Sequence, residues 1–293
     1  MRVYLNYHTL YDEEMSRYSL VLKRDSNNPL IGHEHIPNKT MKLMNVMVRI
    51  NSDGFRCKEY SVSKSNKTRI ILLGDSITFG WGVEEEETFA SILERKLNKI
   101  RPTEVINFGT GNYNTEQEVN LFIEKGLKYK PDKVVVFYFI NDVEPAPKKS
   151  AAWFLAHSRL ITFYWSRMHI LAEKFCRSKR YEEYYANLYK DDQPGLVRAE
   201  CAFLRLRGIC NKNNIRLQVV MIPELHDPKN YPFKTEYGVI SAFLGKSNIE
   251  SLDLTQYFRT FNDPMELWVA RDDAHPNKKA HMLIAEHTID FIK

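Results

Sequence analysis

The apolar run Ile70 to Leu73 stops abruptly at Gly74-Asp75-Ser76, and Phe89, Ile92, Leu93, Leu97 and Ile100 then recur at helical spacing. A short run without polar alternation reads as a strand buried on both faces. The spaced apolar residues after it read as an amphipathic helix. A strand that breaks through small residues into a helix commits the chain to a layered α/β architecture. It also leaves Ser76 at the mouth of the strand, its hydroxyl exposed and its backbone N–H free to donate. An acyl-transfer nucleophile belongs there. Taken alone, the same three residues also read as a polar turn capping a helix, so the rest of the chain has to decide.

The pattern repeats along the chain. Val105 and Ile106 precede a Gly-rich turn, and Val119, Phe122, Ile123 and Leu127 give a second helical face. Lys133 to Ile140 reads as a central strand, Ile215 to Ile222 as another, and Ile249 to Leu254 as a weaker one. A last helix follows Pro276, with Met282, Ala285, Ile289 and Ile292 on one stripe. Alternation of this kind predicts a mainly parallel sheet covered by helices on both sides, with sites at the carboxyl ends of its strands. A chain of 293 residues is long enough to bury a substantial core. Residues 1–66 read as an N-terminal extension packed on a main domain, 67–293. The extension carries turn signals at Asn27-Asn28-Pro29 and Ile36-Pro37-Asn38. A weak strand runs from Val46 to Ile50, before the Asn51-Ser52-Asp53-Gly54 turn, and no chemistry of its own is evident.

One stretch departs from the alternation. Between the strand ending near Asn141 and a helix near Arg198 lies a segment crowded with Trp153, Phe154, Phe163, Tyr164, Trp165, Phe175, Tyr181, Tyr184, Tyr185 and Tyr189. Basic residues from Lys148 to Arg180 are interleaved. The expectation is a helical insertion at about 145–197, folded over the strand ends as a lid. Its rings either stack on sugar or touch lipid, or they pack the insertion onto the domain.

The remaining composition mostly excludes. A net charge of +5, with Lys and Arg not gathered into a block, does not point to nucleic acid. Cys57, Cys176, Cys201 and Cys210 form no C-x-x-C pair and have no His at zinc spacing, so reduced structural thiols are expected, with no metal and no cofactor. His33, His35, His157, His169, His281 and His287 lack spaced partners and read as structural or solvated. No stretch approaches the roughly 18 apolar residues of a membrane span. As it stands the chain reads as cytoplasmic, or as extracytoplasmic if an N-terminal anchor or signal has been removed. Membrane contact is open through the 145–197 insertion, and oligomeric state is not legible.

Three further stretches supply what Ser76 lacks. The small residues of Asn107 to Asn114 let backbone N–H groups approach a ligand, as an oxyanion hole requires. Phe139 to Asp142 ends the third strand and brings the Asn141 amide to the same rim. Arg271 to Asn277 lies on a loop before the last helix, where Asp272, three residues upstream, can orient His275. His226, after a strand in Pro223 to Asp227, points to that rim as a substrate contact.

These blocks resemble those of the SGNH hydrolase superfamily, the GDSL-type esterases, in which Ser, Gly, Asn and His blocks occur in this order. The resemblance covers roughly residues 67–293 and implies a three-layer α/β/α fold with ester chemistry. It implies Ser76 as nucleophile, His275 as general base and then acid, and Asp272 as its orienter. The oxyanion donors would be the Ser76 N–H, the N–H of Gly111 or Asn112, and the Asn141 side chain. Asp75 and Phe139 would join His226 in facing substrate. Two positions depart from the family pattern: Asn112 stands where a Gly is usual, and Phe139 replaces the Gly that opens the third block. The N-terminal segment is also similar to that of bacterial members encoded near envelope polysaccharide genes, which implies a carbohydrate ester. The reading is removal of acetyl or another short acyl group from a sugar. An O-acyltransferase using the same acyl-enzyme, a lipid esterase and a non-catalytic glycan-binding module are the alternatives.

Overall fold

The computed structural model describes residues 10–146 and 177–293. The N-terminal part holds helix α1 (Leu10–Val21) and two small hairpins, β1 (Lys23–Asp25) with β2 (His33–His35) and β3 (Thr40–Leu43) with β4 (Val46–Arg49). The β3–β4 turn places Met44 and Asn45 at φ 46 and 66, the left-handed pair that closes a two-residue hairpin. The sequence reading finds β4 but misses β3, because Met is not a turn-forming residue.

The main domain runs β5 (Thr68–Leu73), α2 (Ser76–Phe79), α3 (Phe89–Leu97), β6 (Thr103–Asn107), α4 (Thr115–Leu121) and β7 (Lys133–Tyr138). It continues with α5 (Arg177–Leu188), α6 (Pro194–Lys212), β8 (Arg216–Met221), α7 (Lys234–Lys246), β9 (Glu250–Asp253) and α8 (Thr255–Phe258). A hairpin of β10 (Trp268–Ala270) and β11 (Asp273–Pro276) leads into α9 (Lys278–Ile292). Five strands form one parallel sheet in the order β6-β5-β7-β8-β9.

Alternation along the strands builds two cores from one sheet. Ile71, Leu73, Val134 and Val136 face Val119 of α4, Phe203 and Leu206 of α6 and Ile240 of α7. Ile70, Leu72, Val135 and Phe137 face Phe89, Ile92 and Leu93 of α3 and Ile284 and Ala285 of α9. Each such buried aliphatic or aromatic side chain contributes about 1.5–3 kcal/mol. The result is a three-layer α/β/α sandwich, as the apolar runs predict. Two details differ. Ile100 lies past the end of α3 and is 63% exposed, and Met282 points to solvent while Ala280, Ile284, Ala285, Thr288 and Ile292 form the buried stripe of α9.

Of the expected insertion, Trp153, Phe154, Phe163, Tyr164, Trp165 and Phe175 lie outside the described residues. Tyr185 and Tyr189 of α5 and its end are core residues: the Tyr185 hydroxyl donates to Glu144 Oε1 at 2.7 Å and that of Tyr189 to the Ile140 carbonyl at 2.9 Å. These two rings therefore pack the segment onto the domain. Tyr181 and Tyr184 are more exposed. Among the described residues, Cys57, Cys201 and Cys210 are free thiols, and no helix is long and apolar enough to cross a membrane.

The strand order decides where a ligand can sit. β5 lies between β6 and β7, so the chain leaves it in one direction for β6 and crosses back for β7. Neighbouring connections diverge at that point and open a crevice beyond the carboxyl ends. Ser76 follows β5 and Asn141 follows β7.

Candidate active site

Gly74 lets β5 turn directly into α2. A Cβ there would lie 2.0 Å from Thr78 Oγ1, so no larger residue fits without moving the turn. Asp75 then caps α2, its Oδ1 accepting the Ile77 N–H at 2.9 Å, which leaves Ser76 as the first helical residue. The other end of α2 is held from the N-terminal segment. The fully buried Arg56 guanidinium donates to the carbonyls of Phe79, Gly80 and Val83.

Ser76 Oγ lies 2.8 Å from His275 Nε2, and His275 Nδ1 lies 2.6 Å from Asp273 Oδ1. The same Oδ1 accepts the His275 backbone N–H at 3.0 Å, and Oδ2 accepts Trp81 Nε1–H at 2.8 Å. With a carboxylate on Nδ1, that nitrogen carries the ring proton and Nε2 is free to accept from the Ser76 hydroxyl. Burial pushes the Asp273 carboxyl up, but the hydrogen bonds and charge of His275, with the Trp81 donor, outweigh it and hold it below the usual carboxylate range.

The partner of His275 is thus Asp273, not Asp272. The sequence reading treats this stretch as a loop, in which a residue three positions upstream can fold back. Instead it is a strand: β11 pairs with β10 at Trp268–Pro276 and Ala270–Asp273. Residues two apart share a face of a strand, so Asp273 and His275 project together. Asp272 occupies the exposed turn with Arg271.

The second loop is stitched to the first by the Thr110 N–H on the Gly74 carbonyl, and by Asn107 Nδ2 on the Thr78 carbonyl. Gly111 and Asn112 part company here. The Gly111 N–H donates to the Tyr18 hydroxyl at 2.9 Å, whereas the Asn112 N–H has no acceptor among the described residues. Asn112 sits at φ 65, the left-handed region that Asn tolerates better than most residues. Asn141 Nδ2 donates one hydrogen to Asp75 Oδ2 at 3.2 Å and keeps a second to give. The Ser76 N–H, at the start of α2, likewise has no acceptor among the described residues.

The three residues expected to face substrate fare differently. Asp75 does not, because it is 1% exposed and both its oxygens are engaged by Ile77 and Asn141. Phe139 is partly buried and packs against both cores at the end of β7. His226 is exposed, bonded through Nδ1 to Glu224, with its ring 5.0 Å from that of Trp268 and 6.3 Å from that of Tyr181. Trp81 and Tyr11 are additions that the sequence reading does not find. The Tyr11 ring stacks on His275 at 5.8 Å. A clue to Trp81 exists in sequence, since a buried indole N–H must find an acceptor, but nothing local identifies Asp273 as that acceptor. A groove lined by Arg56, Tyr60, Glu85 and Glu94 contains none of the Ser76, His275 and Asp273 trio. Among the described residues no group of three or more His, Cys, Asp or Glu side chains could hold a metal ion.

Behind the site lie two more buried carboxyls. Neither oxygen of Glu118 has a hydrogen-bond partner among the described residues, and Asp142 holds only Thr115 and the Phe139 N–H, on Oδ2. Burial first, and then repulsion, from Asp142 and Asp75 on Glu118 and from Asp75 and Glu144 on Asp142, pushes both well above the usual carboxylate range. A folded-state pKa above the unfolded one means the native protein binds more protons, so stability falls as pH rises from about 4 toward the folded value. Glu118→Gln keeps the shape and removes that titration. Its melting temperature is expected to decline less than that of the wild type as pH rises above about 4.3, the unfolded value of a glutamate. Parallel decline of the two proteins in a pH series of thermal melts would refute the assignment.

The comparisons with known proteins follow the same lines. The family model for the GDSL-like lipase/acylhydrolase family matches residues 72–283. No curated protein matches the chain in sequence. Among solved structures, the acetyl xylan esterase AlAXEase is similar at 17% identity and TM-score 0.50, with 77% of this chain and 100% of that one covered. LAE5, an alpha/beta hydrolase enzyme from the metagenome of Lake Arreo in Spain, is similar at 16% identity and TM-score 0.51, covering 78% and 96%. A catalytic mutant of Axe2, an acetylxylan esterase from Geobacillus stearothermophilus, is similar at 14% identity and TM-score 0.50, covering 78% and 95%. At these identities the structural likeness speaks for the fold.

Proposed function

The chain belongs to the GDSL-like lipase/acylhydrolase family, and from that premise we propose that this carboxylic ester hydrolase removes acetyl or another short acyl group from a carbohydrate, with Ser76 as nucleophile. The observation that carries the proposal is the continuous hydrogen-bonded line from Ser76 Oγ through His275 to Asp273.

The steps follow from the atoms present. Ser76 Oγ attacks the ester carbonyl carbon while His275 Nε2 takes the hydroxyl proton, and the Asp273 carboxylate stabilises the imidazolium. The negative oxygen is held by the Ser76 N–H, the Asn112 N–H and the second hydrogen of Asn141 Nδ2. His275 returns its proton to the departing sugar oxygen, the carbon–oxygen bond breaks, and an acyl-Ser76 remains. A water molecule gives a proton to the same Nε2, attacks the acyl carbon, and releases the acid with Ser76 restored.

Support for a sugar comes from the surface beside β10. Trp268 is held by its Nε1–H on the Leu225 carbonyl at 2.9 Å, and β10 pairs with the strand that bears His275. With His226 and Tyr181 alongside, this makes a ledge of rings and a carboxylate-bound imidazole, suited to a sugar's flat face and hydroxyls. The acetylxylan esterases among the structural neighbours lean the same way.

Nitrophenyl esters of acetate, butyrate and octanoate test the acyl part, and acetate release from acetylated xylooligosaccharides tests the alcohol part. Turnover is expected to fall steeply with chain length, and acetate to be released from the oligosaccharide. Faster turnover of octanoate would overturn the short acyl group. Nitrophenyl acetate turnover without acetate release from the oligosaccharide would overturn the sugar, and a single burst without turnover would replace hydrolysis by acyl transfer.

A further inference from the structure

The N-terminal segment grips one residue of the second loop, Gly111, from two sides. From α1, the Tyr18 hydroxyl accepts the Gly111 N–H at 2.9 Å and lies 2.7 Å from His35 Nε2. His35 Nδ1 is 3.1 Å from the Gly54 carbonyl, which can only accept, so Nδ1 carries the proton and Nε2 receives the Tyr18 O–H. The chain of bonds therefore has one direction. Gly111 donates to Tyr18, Tyr18 to His35, and His35 to Gly54. All four residues are buried, and burial pushes the His35 pKa down to about 3, which keeps the ring neutral. On the other side, the Gly111 carbonyl accepts Lys23 Nζ at 2.6 Å and faces His33 Nε2 at 3.1 Å. Lys23 Nζ also donates to Asn112 Oδ1 at 3.0 Å.

The Gly111 carbonyl and the Asn112 N–H belong to the same peptide plane. In a planar trans peptide the two point in opposite directions, so whatever holds the carbonyl aims the N–H. Tyr18 fixes the preceding plane in the same way through the Gly111 N–H. Close approach of the phenol needs a residue without a side chain, since a Cβ on Gly111 would lie 2.7 Å from Tyr18 Cε1. That contact accounts for a Gly at 111 and puts the next residue, Asn112, in the left-handed turn with its N–H unspent.

We infer that Tyr18 and Lys23 are positioning residues of the oxyanion hole: they lock two successive peptide planes so that the Asn112 N–H faces the Ser76 site. This rests on the esterase reading above. The segment before residue 67 is then part of the working site and more than packing, contrary to the sequence reading that gives it no chemistry.

The test uses the full chain, with Tyr18→Phe, which keeps the ring and removes the hydroxyl, and Lys23→Met, which keeps the stem and removes the ammonium. Two quantities are read: kcat and KM on nitrophenyl acetate, and affinity for a short trifluoromethyl ketone. Ser76 adds to that ketone to leave an oxyanion. Loss of a whole oxyanion donor costs about 10²–10³ in kcat, and a misaimed one is expected to cost roughly 10- to 100-fold. Each variant should lose that factor in kcat and a matching factor in ketone affinity, with KM within about two-fold. Wild-type kcat and ketone affinity in both variants would overturn the inference. So would activity losses that vanish once active sites are counted by titration, because those would report unfolding alone. Should Tyr18→Phe not fold, Lys23→Met carries the test by itself. An inactive wild type, or a Ser76→Ala variant as active as the wild type, would instead remove the esterase reading and the inference with it.

Discussion

Ser76→Ala is expected to reduce turnover of nitrophenyl acetate by about 10⁵–10⁶-fold, to the level that binding and oxyanion donors alone support. The substitution removes one oxygen and leaves the helix start intact, because the Asp75 cap on Ile77 and the Arg56 bonds to Phe79, Gly80 and Val83 do not involve the Ser76 hydroxyl. Folding should therefore be little changed, and KM close to that of the wild type. The measurement is steady-state kinetics with thermal melts of both proteins. A Ser76→Ala variant retaining a tenth of wild-type turnover would mean that another group performs the attack, since no intermediate on Ser76 could then be required.

Asp273→Asn is expected to cost about 10³–10⁴ in kcat, while Asp272→Asn, on the exposed turn, stays within about two-fold. The asymmetry follows from the hydrogen bonds. Asp273 accepts from His275 Nδ1, from the His275 backbone and from Trp81, so an amide there offers a donor where acceptors are needed and favours the wrong ring tautomer. Because the folded Asp273 carboxyl is held below its usual range, the stability it supplies is present above its unfolded pKa of about 3.9 and is lost as pH falls through the folded value. Wild-type thermal stability should thus weaken in strong acid in a way that Asp273→Asn does not share. Equal losses in Asp272→Asn and Asp273→Asn would contradict the strand geometry of β11.

Much of this molecule is legible in its sequence. The runs at Ile70 to Leu73 and Lys133 to Tyr138 are strands because unbroken apolar residues can be buried only with helices on both faces, and both are central in the sheet. Ser76, Asn141 and His275 are recognisable because each terminates such a run or precedes a helix, and a parallel sheet collects those ends at one rim. Met282 and Ile100 are exposed despite their spacing, since apolar periodicity does not say where a helix ends or which flank of its stripe meets the core.

What the chain's own order of residues determined was the sheet, its layers and the places of Ser76, Asn141 and His275 at one rim, because these depend on local patterning and on which strand or helix each residue adjoins. Only the tertiary structure decided between Asp272 and Asp273, since the shared face depends on β11 being a strand, and that depends on pairing with β10. It alone also decided between Gly111 and Asn112, because a hydrogen bond from Tyr18, 93 residues away, uses up one N–H and leaves the other. Spacing along a chain predicts geometry only within one kind of backbone, and which donors remain unsatisfied is settled by groups that folding brings from elsewhere.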